Sequence, residues 1–266
     1  GIVHDVSATN KTFYIEPAQI VPLNNKIREI KANIHSEMIK ILAGLTSLVK
    51  NEIKELSLSE QLLATIDYHF AKARYAVKIQ AIEPEIVTTK IIEFENMKHP
   101  LLIGNVDNVV TNNFEIGKDY KSVIITGSNT GGKTVTIKTI GLFILMAKSG
   151  MFLPCTAAKL YPFEEVFADI GDDQSVVSSL SSFSAHTKKQ AEIARFATEN
   201  SLVLLDEVGS GTDPQEGESL AISLLNELRK KCAMTIATTH FNRLKAYGKR
   251  HDDILLASVE FDIENL

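Results

Sequence analysis

The sequence predicts an α/β protein. It has a mixed, largely parallel sheet with a phosphate-binding loop, preceded by a β-hairpin and a long antiparallel helical arm. Three observations predict it. A β-branched run at residues 123–126 feeds the glycine-rich turn "GSNTGGKT" and then a helical segment. After Pro84, strand-like and helix-like stretches alternate. Before Pro84, apolar residues recur at steps of three and four from Leu23 to Val77. These patterns divide the chain into residues 1–82, hairpin and arm, and residues 83–266, the sheet domain.

The opening "GIVHDVSATNKTFYIEP" reads as two short strands about a polar turn near residues 8–11, closed by Pro17. Leu23, Ile27, Ile30, Ile34, Met38, Ile41, Leu45 and Leu48 then form a narrow stripe, the pattern of a long helix lying against another helix. Over residues 23–56 such a helix extends roughly 50 Å at 1.5 Å per residue. The tetrapeptide "SLSE" at 57–60 has the form of a capping box and starts a second helix with Leu62, Ile66, Phe70, Ala73 and Val77. Two antiparallel helices covering each other's stripe make the arm; the alternative folds both onto the main core. Beyond Pro84 the expected order is strand 91–94, strand 123–126, helix 132–149, strand 166–169, helix 186–198, strand 202–205, helix 216–231 and strand 234–238. Such alternation builds a mainly parallel sheet whose ligands bind at the carboxyl ends of its strands.

Composition narrows the class. With 266 residues, 44% of them hydrophobic, the chain buries a real core. No apolar run approaches the roughly 20 residues of a membrane span, and "GIVHDVSATN" lacks the basic start and apolar core of a signal peptide. A soluble, cytoplasmic protein is expected. Cys155 and Cys232 stand far apart without metal-ligand spacing, so two reduced, packed thiols are expected. The net charge of -5 excludes binding to nucleic acid by bulk electrostatics alone. Residues 1–80 hold 10 Lys/Arg against 8 Asp/Glu, leaving 18 against 25 of the totals of 28 and 33.

The chemistry sits in three motifs. "GSNTGGKT" joins strand to helix in the GxxxxGK[ST] pattern and gives the nucleotide-binding residues Gly127, Ser128, Asn129, Thr130, Gly131, Gly132, Lys133 and Thr134, with Val135 following. Its glycines let backbone N–H groups converge on phosphate oxygens, and the helix start adds a favourable dipole. Lys133 reaches the β- and γ-phosphates of ATP, and the Thr134 hydroxyl ligates Mg²⁺. "LVLLDEVGSGTD" then places two acids after a buried strand. Asp206 holds Mg²⁺ through water, and Glu207 orients or deprotonates an attacking water, which favours hydrolysis over kinase chemistry. The bland reading of this acid pair is a helix cap. In "TIATTHF", His240 lies just beyond a strand, in reach of the γ-phosphate; a lone histidine is otherwise structural. The hydroxyl-rich "SSLSSFSAHTKKQ" at 178–190 reads by itself as a loop and helix cap.

Together "TGSNTGGKT", "SSFSAH", "LLDEVGSGTDPQEG" and "TTHF", in this order and spacing, resemble the MutS family of ABC-type ATPases, closest to its second branch, the paralogues that do not initiate mismatch repair. "GIVHDVSATNKTFYIEP", "LNN" at 23–25 and "FAKARYA" at 70–76 resemble that branch too, so the likeness covers essentially the whole chain. It implies a P-loop, ABC-type ATPase fold and a head-to-head homodimer with two nucleotides, ATP or ADP, between the ATPase domains. Ser181 would contact the γ-phosphate bound by the other subunit, His240 would be the switch histidine, and residues 211–213 would cross the dimer interface. Val109 and Val110 fall where the family contacts adenine, but without an aromatic residue to stack on the base. Ser128 stands where the family usually has proline. The signature lacks the double glycine of transporter ATPases.

The Phe-x-Glu wedge of mismatch readers has no N-terminal counterpart; Phe163 and Glu165 lie inside the ATPase region. The branch normally carries further N-terminal sequence and a C-terminal nuclease domain, so 1–266 is expected to be part of a longer chain, with no nuclease activity of its own. The implied function is an ATP-driven clamp on branched DNA, suppressing recombination, or on the RNA of stalled ribosomes. A nucleotide-gated scaffold, in which slow hydrolysis only resets the conformation, is the competing class.

Overall fold

The structure, a computed structural model, describes residues 2–6, 13–106, 108–127, 132–171 and 179–259. At 2, 4–6, 13–16 and 179–183 it describes the backbone alone. The chain divides between His69 and Phe70 into two units. This point precedes the expected boundary after residue 82 because Ile79 is only 3% exposed and Tyr75 packs beside it in the core of the second unit.

In the first unit, β1 (Ile2–Val6) and β2 (Phe13–Glu16) pair antiparallel, with Ile2 opposite Glu16 and Val6 opposite Phe13. The turn expected near residues 8–11 lies outside the described residues. Helix α1 (Val21–Asn51) begins with proline in its first turn, where a missing N–H costs nothing, and α2 (Ile53–Lys78) follows. The expected start of the second helix at 57–60 is corrected. "SLSE" lies inside α2, and Glu52 alone separates the helices, its N–H donating to Val49 O and its carbonyl accepting from Leu56 N. No glycine or proline interrupts residues 45–83, so α2 is already under way from Ile53 when the chain reaches Ser57.

The mutual covering of the two stripes is corrected as well. Reversal between antiparallel helices takes about two to five residues, and neither helix has a buried residue. Leu45 on the first stripe is 56% exposed and Leu62 on the second 55%.

In chain order the second unit continues with β3 (Glu85–Ile86), β4 (Ile92–Met97), β5 (Asn112–Ile116), β6 (Ser122–Thr126), α3 (Lys133–Lys148) and β7 (Ala157–Leu160). Then come β8 (Glu165–Asp169), α4 (Ser179–Phe196), β9 (Ser201–Leu205), α5 (Pro214–Lys230), β10 (Met234–Thr238), α6 (Asn242–Gly248) and β11 (Ile254–Ser258). Five strands form a wholly parallel sheet in the order β11-β6-β10-β9-β8. A second sheet, β3-β7-β4-β5, is antiparallel except for the β3–β7 pair. The mixed, largely parallel α/β character is therefore present, but the strand expected at 91–94 belongs to the second sheet. α4 also starts earlier than the expected residue 186, because the serine-rich stretch read as a loop is helical from Ser179.

Both faces of the parallel sheet are covered, which is why its central strands read as unbroken apolar runs. On one face Val123, Ile125, Leu202, Leu204 and Ile236 meet Ile140 and Phe143 of α3 and Phe94 of the second sheet. On the other, Ile124, Val203, Leu205 and Ala237 meet Ile193, Leu224, Leu228 and Leu244 from the helices behind. Phe163 sits in this core at 1% exposure, as a buried residue. The expected pair of packed thiols is half corrected. Cys155 is buried, which pushes its pKa up to about 11, whereas Cys232 is exposed at φ 57, in the turn that leads into β10.

Candidate functional site

Parallel strands place their carboxyl ends along one edge, and β10 lies between β6 and β9. Thr238 stands opposite Ile125, and Ala237 opposite Leu205. With neighbouring strands about 4.8 Å apart, the residues following β6 and β9 face each other across the end of β10 at a spacing of about 10 Å. Thus the glycine-rich loop, the two acids and His240 emerge side by side.

After β6, Gly127 has φ 132 and Gly132, the residue before α3, has φ 80, both conformations that L side chains rarely adopt. Ser128, Asn129, Thr130 and Gly131 lie outside the described residues. Lys133 is 1% exposed, and its ammonium donates to Gly127 O at 2.5 Å, so the lysine folds back toward the end of β6. Gly132, the residue at the N-cap of α3, has no side chain to cap the helix, whose first N–H groups have no partner within it. Thr134 is half-buried there, and Val135 is 43% exposed.

After β9, Asp206 N–H continues the sheet bonding to Asp169 O at 2.8 Å, and the chain then turns sharply, with Glu207 at φ 46. Both acids are held by one residue. The Thr238 hydroxyl donates to Asp206 Oδ1 at 2.5 Å and accepts the Glu207 N–H at 2.8 Å. Thr238 O further accepts Val208 N–H at 3.1 Å. No other hydrogen bond reaches the Asp206 carboxylate among the described residues, so an acceptor oxygen remains for a metal or its water. Asp213 caps α5 by accepting from Gln215 N–H at 3.0 Å, so the helix-cap role falls to this residue and not to Asp206 or Glu207.

His240 is exposed two residues past Thr238, its ring 4.5 Å from that of Phe241. Between them Thr239 N–H donates to Ile125 O at 3.1 Å, pinning the end of β10 to that of β6. Ser181 falls in the first turn of α4, and its side chain lies outside the described residues. Val110 is 66% exposed just before β5, and no described contact joins it to the strand-end group.

Two groups were missed by sequence reasoning. Thr238 was read only as the last residue of a strand, although a hydroxyl in a strand of otherwise buried residues needs a partner and so carries a signal. Asp169, 2% exposed at the end of β8, accepts from Gln190 Nε2 at 2.8 Å and pairs with His186 Nδ1 at 2.8 Å, locking α4 to the sheet edge. The i,i+4 spacing of His186 and Gln190 on one helix face was the available sign. Near α3, burial, and then the neighbouring Lys138, lower the pKa of His99.

Residues 123–265 match MutS domain V. The chain belongs to the MutS family. This MutS-family chain is 48% identical over its whole length to "Endonuclease MutS2" of Geobacillus sp. (strain WCH70) and to "Putative endonuclease MutS2" of Bacillus subtilis (strain 168). It is 46% identical to "Endonuclease MutS2" of Staphylococcus epidermidis (strain ATCC 35984). In each case it spans about a third (34%) of the relative's length. The second-branch resemblance read from the motifs is thereby shown. No helix among the described residues is long and apolar enough to cross a membrane.

Proposed function

We propose that this MutS-family chain is an ATPase that works as a homodimeric clamp on nucleic acid. The observation that carries the reading is the convergence, at three adjacent strand ends, of a glycine-rich loop with its lysine and of an acid pair tied to Thr238. A loop and acid pair so placed suit a nucleoside triphosphate. Gly127, Gly132 and the backbone between them cradle the phosphates, and Lys133 supplies the cation. Thr134 and Asp206 would hold Mg²⁺, which neutralises charge on the phosphate oxygens when bound. Glu207 takes the proton of the attacking water or orients it, and His240 reports on the γ-phosphate. Val110 borders the base. ADP is the product that stays behind.

The dimer places Ser181 of one subunit on the phosphates of the other, with residues 211–213 at the interface; Gly211 and Asp213 are exposed, as that role requires. Helices α1 and α2 form the arm that engages branched DNA or the RNA of a stalled ribosome in the cytoplasm. Nuclease chemistry, named for the relatives, is not assigned to residues 1–266, because ATP hydrolysis is the reaction whose parts meet at the strand ends. The test is co-sedimentation of the protein with ribosomes and with four-way DNA junctions, each with ATP and with ADP. Retention by one of them in an ATP-dependent manner supports the reading. Equal recovery in the supernatant under all four conditions refutes it.

A further inference from the structure

We propose that Thr238 is a positioning residue for ATP hydrolysis, fixing the Asp206 carboxylate and the Glu207 backbone through a single hydroxyl; the proposal rests on the ATPase reading above. Thr238 is 0% exposed, and its hydroxyl makes both bonds that its chemistry favours. Its proton goes to Asp206 Oδ1 at 2.5 Å, and a lone pair receives the Glu207 N–H at 2.8 Å. The main chain of the same residue binds the next N–H in line, from Val208. Three consecutive residues are thus docked on one position of β10.

The arrangement answers a structural need. Glu207 has φ 46, a conformation disfavoured for any residue with a Cβ, and such a turn persists only when its surroundings hold it. Without the hydroxyl, the Glu207 N–H loses its acceptor just where the chain is strained. Asp206 simultaneously loses the donor that holds its Oδ1 against β10. With its hydroxyl bonded on both sides in a fully buried position, Thr238 gives both acids one orientation.

Thr238→Val keeps the branched shape and deletes the hydroxyl; Thr238→Ser keeps the hydroxyl. In the nucleotide-free protein, amide hydrogen exchange at Glu207 should accelerate by about tenfold or more in the Val variant and stay near wild type in the Ser variant, in line with loss of one hydrogen bond to a strained residue. In turnover, kcat of the Val variant should fall about 10- to 100-fold with KM for ATP within about threefold, and half-maximal rate should require more Mg²⁺. Ser should recover most of the loss. If the Val variant melts too early to assay, Thr238→Ser and Thr238→Ala make the same comparison within a smaller side chain. A Val variant with wild-type exchange and kcat overturns the proposal, and so does a Ser variant as slow as Val. A wild-type protein that binds ATP but never hydrolyses it overturns the ATPase reading, while the exchange result still separates hydroxyl from volume.

Discussion

Replacing Gly217 by alanine tests whether the turn after the acids is rigidly seated. Gly217 lies in the first turns of α5, where alanine is intrinsically favoured over glycine by about 1 kcal/mol. Propensity alone therefore predicts a more stable protein. The structure predicts the opposite. A Cβ at Gly217 would stand 2.1 Å from Gly209 O and 3.1 Å from Gly209 C, and one at Gly209, where φ is 86, would stand 2.5 Å from Gly217 O. The atoms met are backbone, so no rotamer change relieves the clash. Separation to ordinary contact requires the two segments to part by about 1 Å or more. Overpacking of this kind costs about 1–3 kcal/mol, which leaves a net loss of up to about 2 kcal/mol after the propensity gain.

Gly209 is two residues beyond Glu207, and Ser210 N–H is bonded to Glu207 O at 3.0 Å, so the displacement reaches the acid directly. A shift of about 1 Å in a reacting group lowers rate by about 100-fold. Nucleotide affinity, which we assign mainly to the loop before α3, should change less than about threefold in the same assay series. Steady-state phosphate release, fluorescent-nucleotide titration and a thermal melt measure the three quantities. A Gly217→Ala variant that melts higher than wild type and hydrolyses ATP normally would refute both the contact and its coupling to Glu207.

Lys133→Ala should weaken ATP binding far more than ADP binding, and because the side chain is 1% exposed and bonded to Gly127 O, it should also lower the melting temperature of nucleotide-free protein; equal loss for both nucleotides by calorimetry would point to loop collapse instead. Hydrogen bonds from Arg229 Nε to both carboxylate oxygens of Asp253, at 2.9 and 2.6 Å, hold that carboxyl below its usual range against the opposing effect of burial. A depressed folded pKa means that the pair stabilises above the unfolded value of about 4 and ceases to do so as pH falls through the folded value. Both side chains are about a third exposed (36% and 32%), so solvent screening limits the contribution to about 1 kcal/mol. Arg229→Leu should thus lower the urea midpoint at pH 7 and lose that effect progressively below about pH 4; an equal deficit at both ends would show that packing, not charge, is at stake.

The strand, glycine turn and helix at 122–148 were legible because their physics is local. Glycines that permit φ 132 at Gly127 and φ 80 at Gly132, a buried strand before them and a helix after them are all contiguous in sequence. The acid pair was legible for the same reason. The antiparallel second sheet was legible only in β4, expected at 91–94, since its partners β5 and β7 are short, distant in the chain and polar at alternate positions such as Glu115 and Lys159. The helical region was misjudged at residues 57–60 because a capping pattern has force only where something ends the preceding helix. Nothing there does. Thr238 escaped notice because its partners, Asp206 and Glu207, are more than thirty residues away in the chain, and only strand order brings them together.

Glu207 is the residue we propose makes this site hydrolytic. The most direct test of that role is phosphate release from Mg·ATP by the wild-type protein and by Glu207→Gln, with ATP binding measured in parallel. Substitution by glutamine leaves Lys133, Thr134 and Asp206 in place, so both proteins should bind ATP. Hydrolysis by the variant should fall by about 10²-fold or more, as expected when a general base is removed, and the variant should accumulate with ATP bound. Near-normal turnover by Glu207→Gln, or failure of the wild-type protein to bind ATP at all, would contradict it.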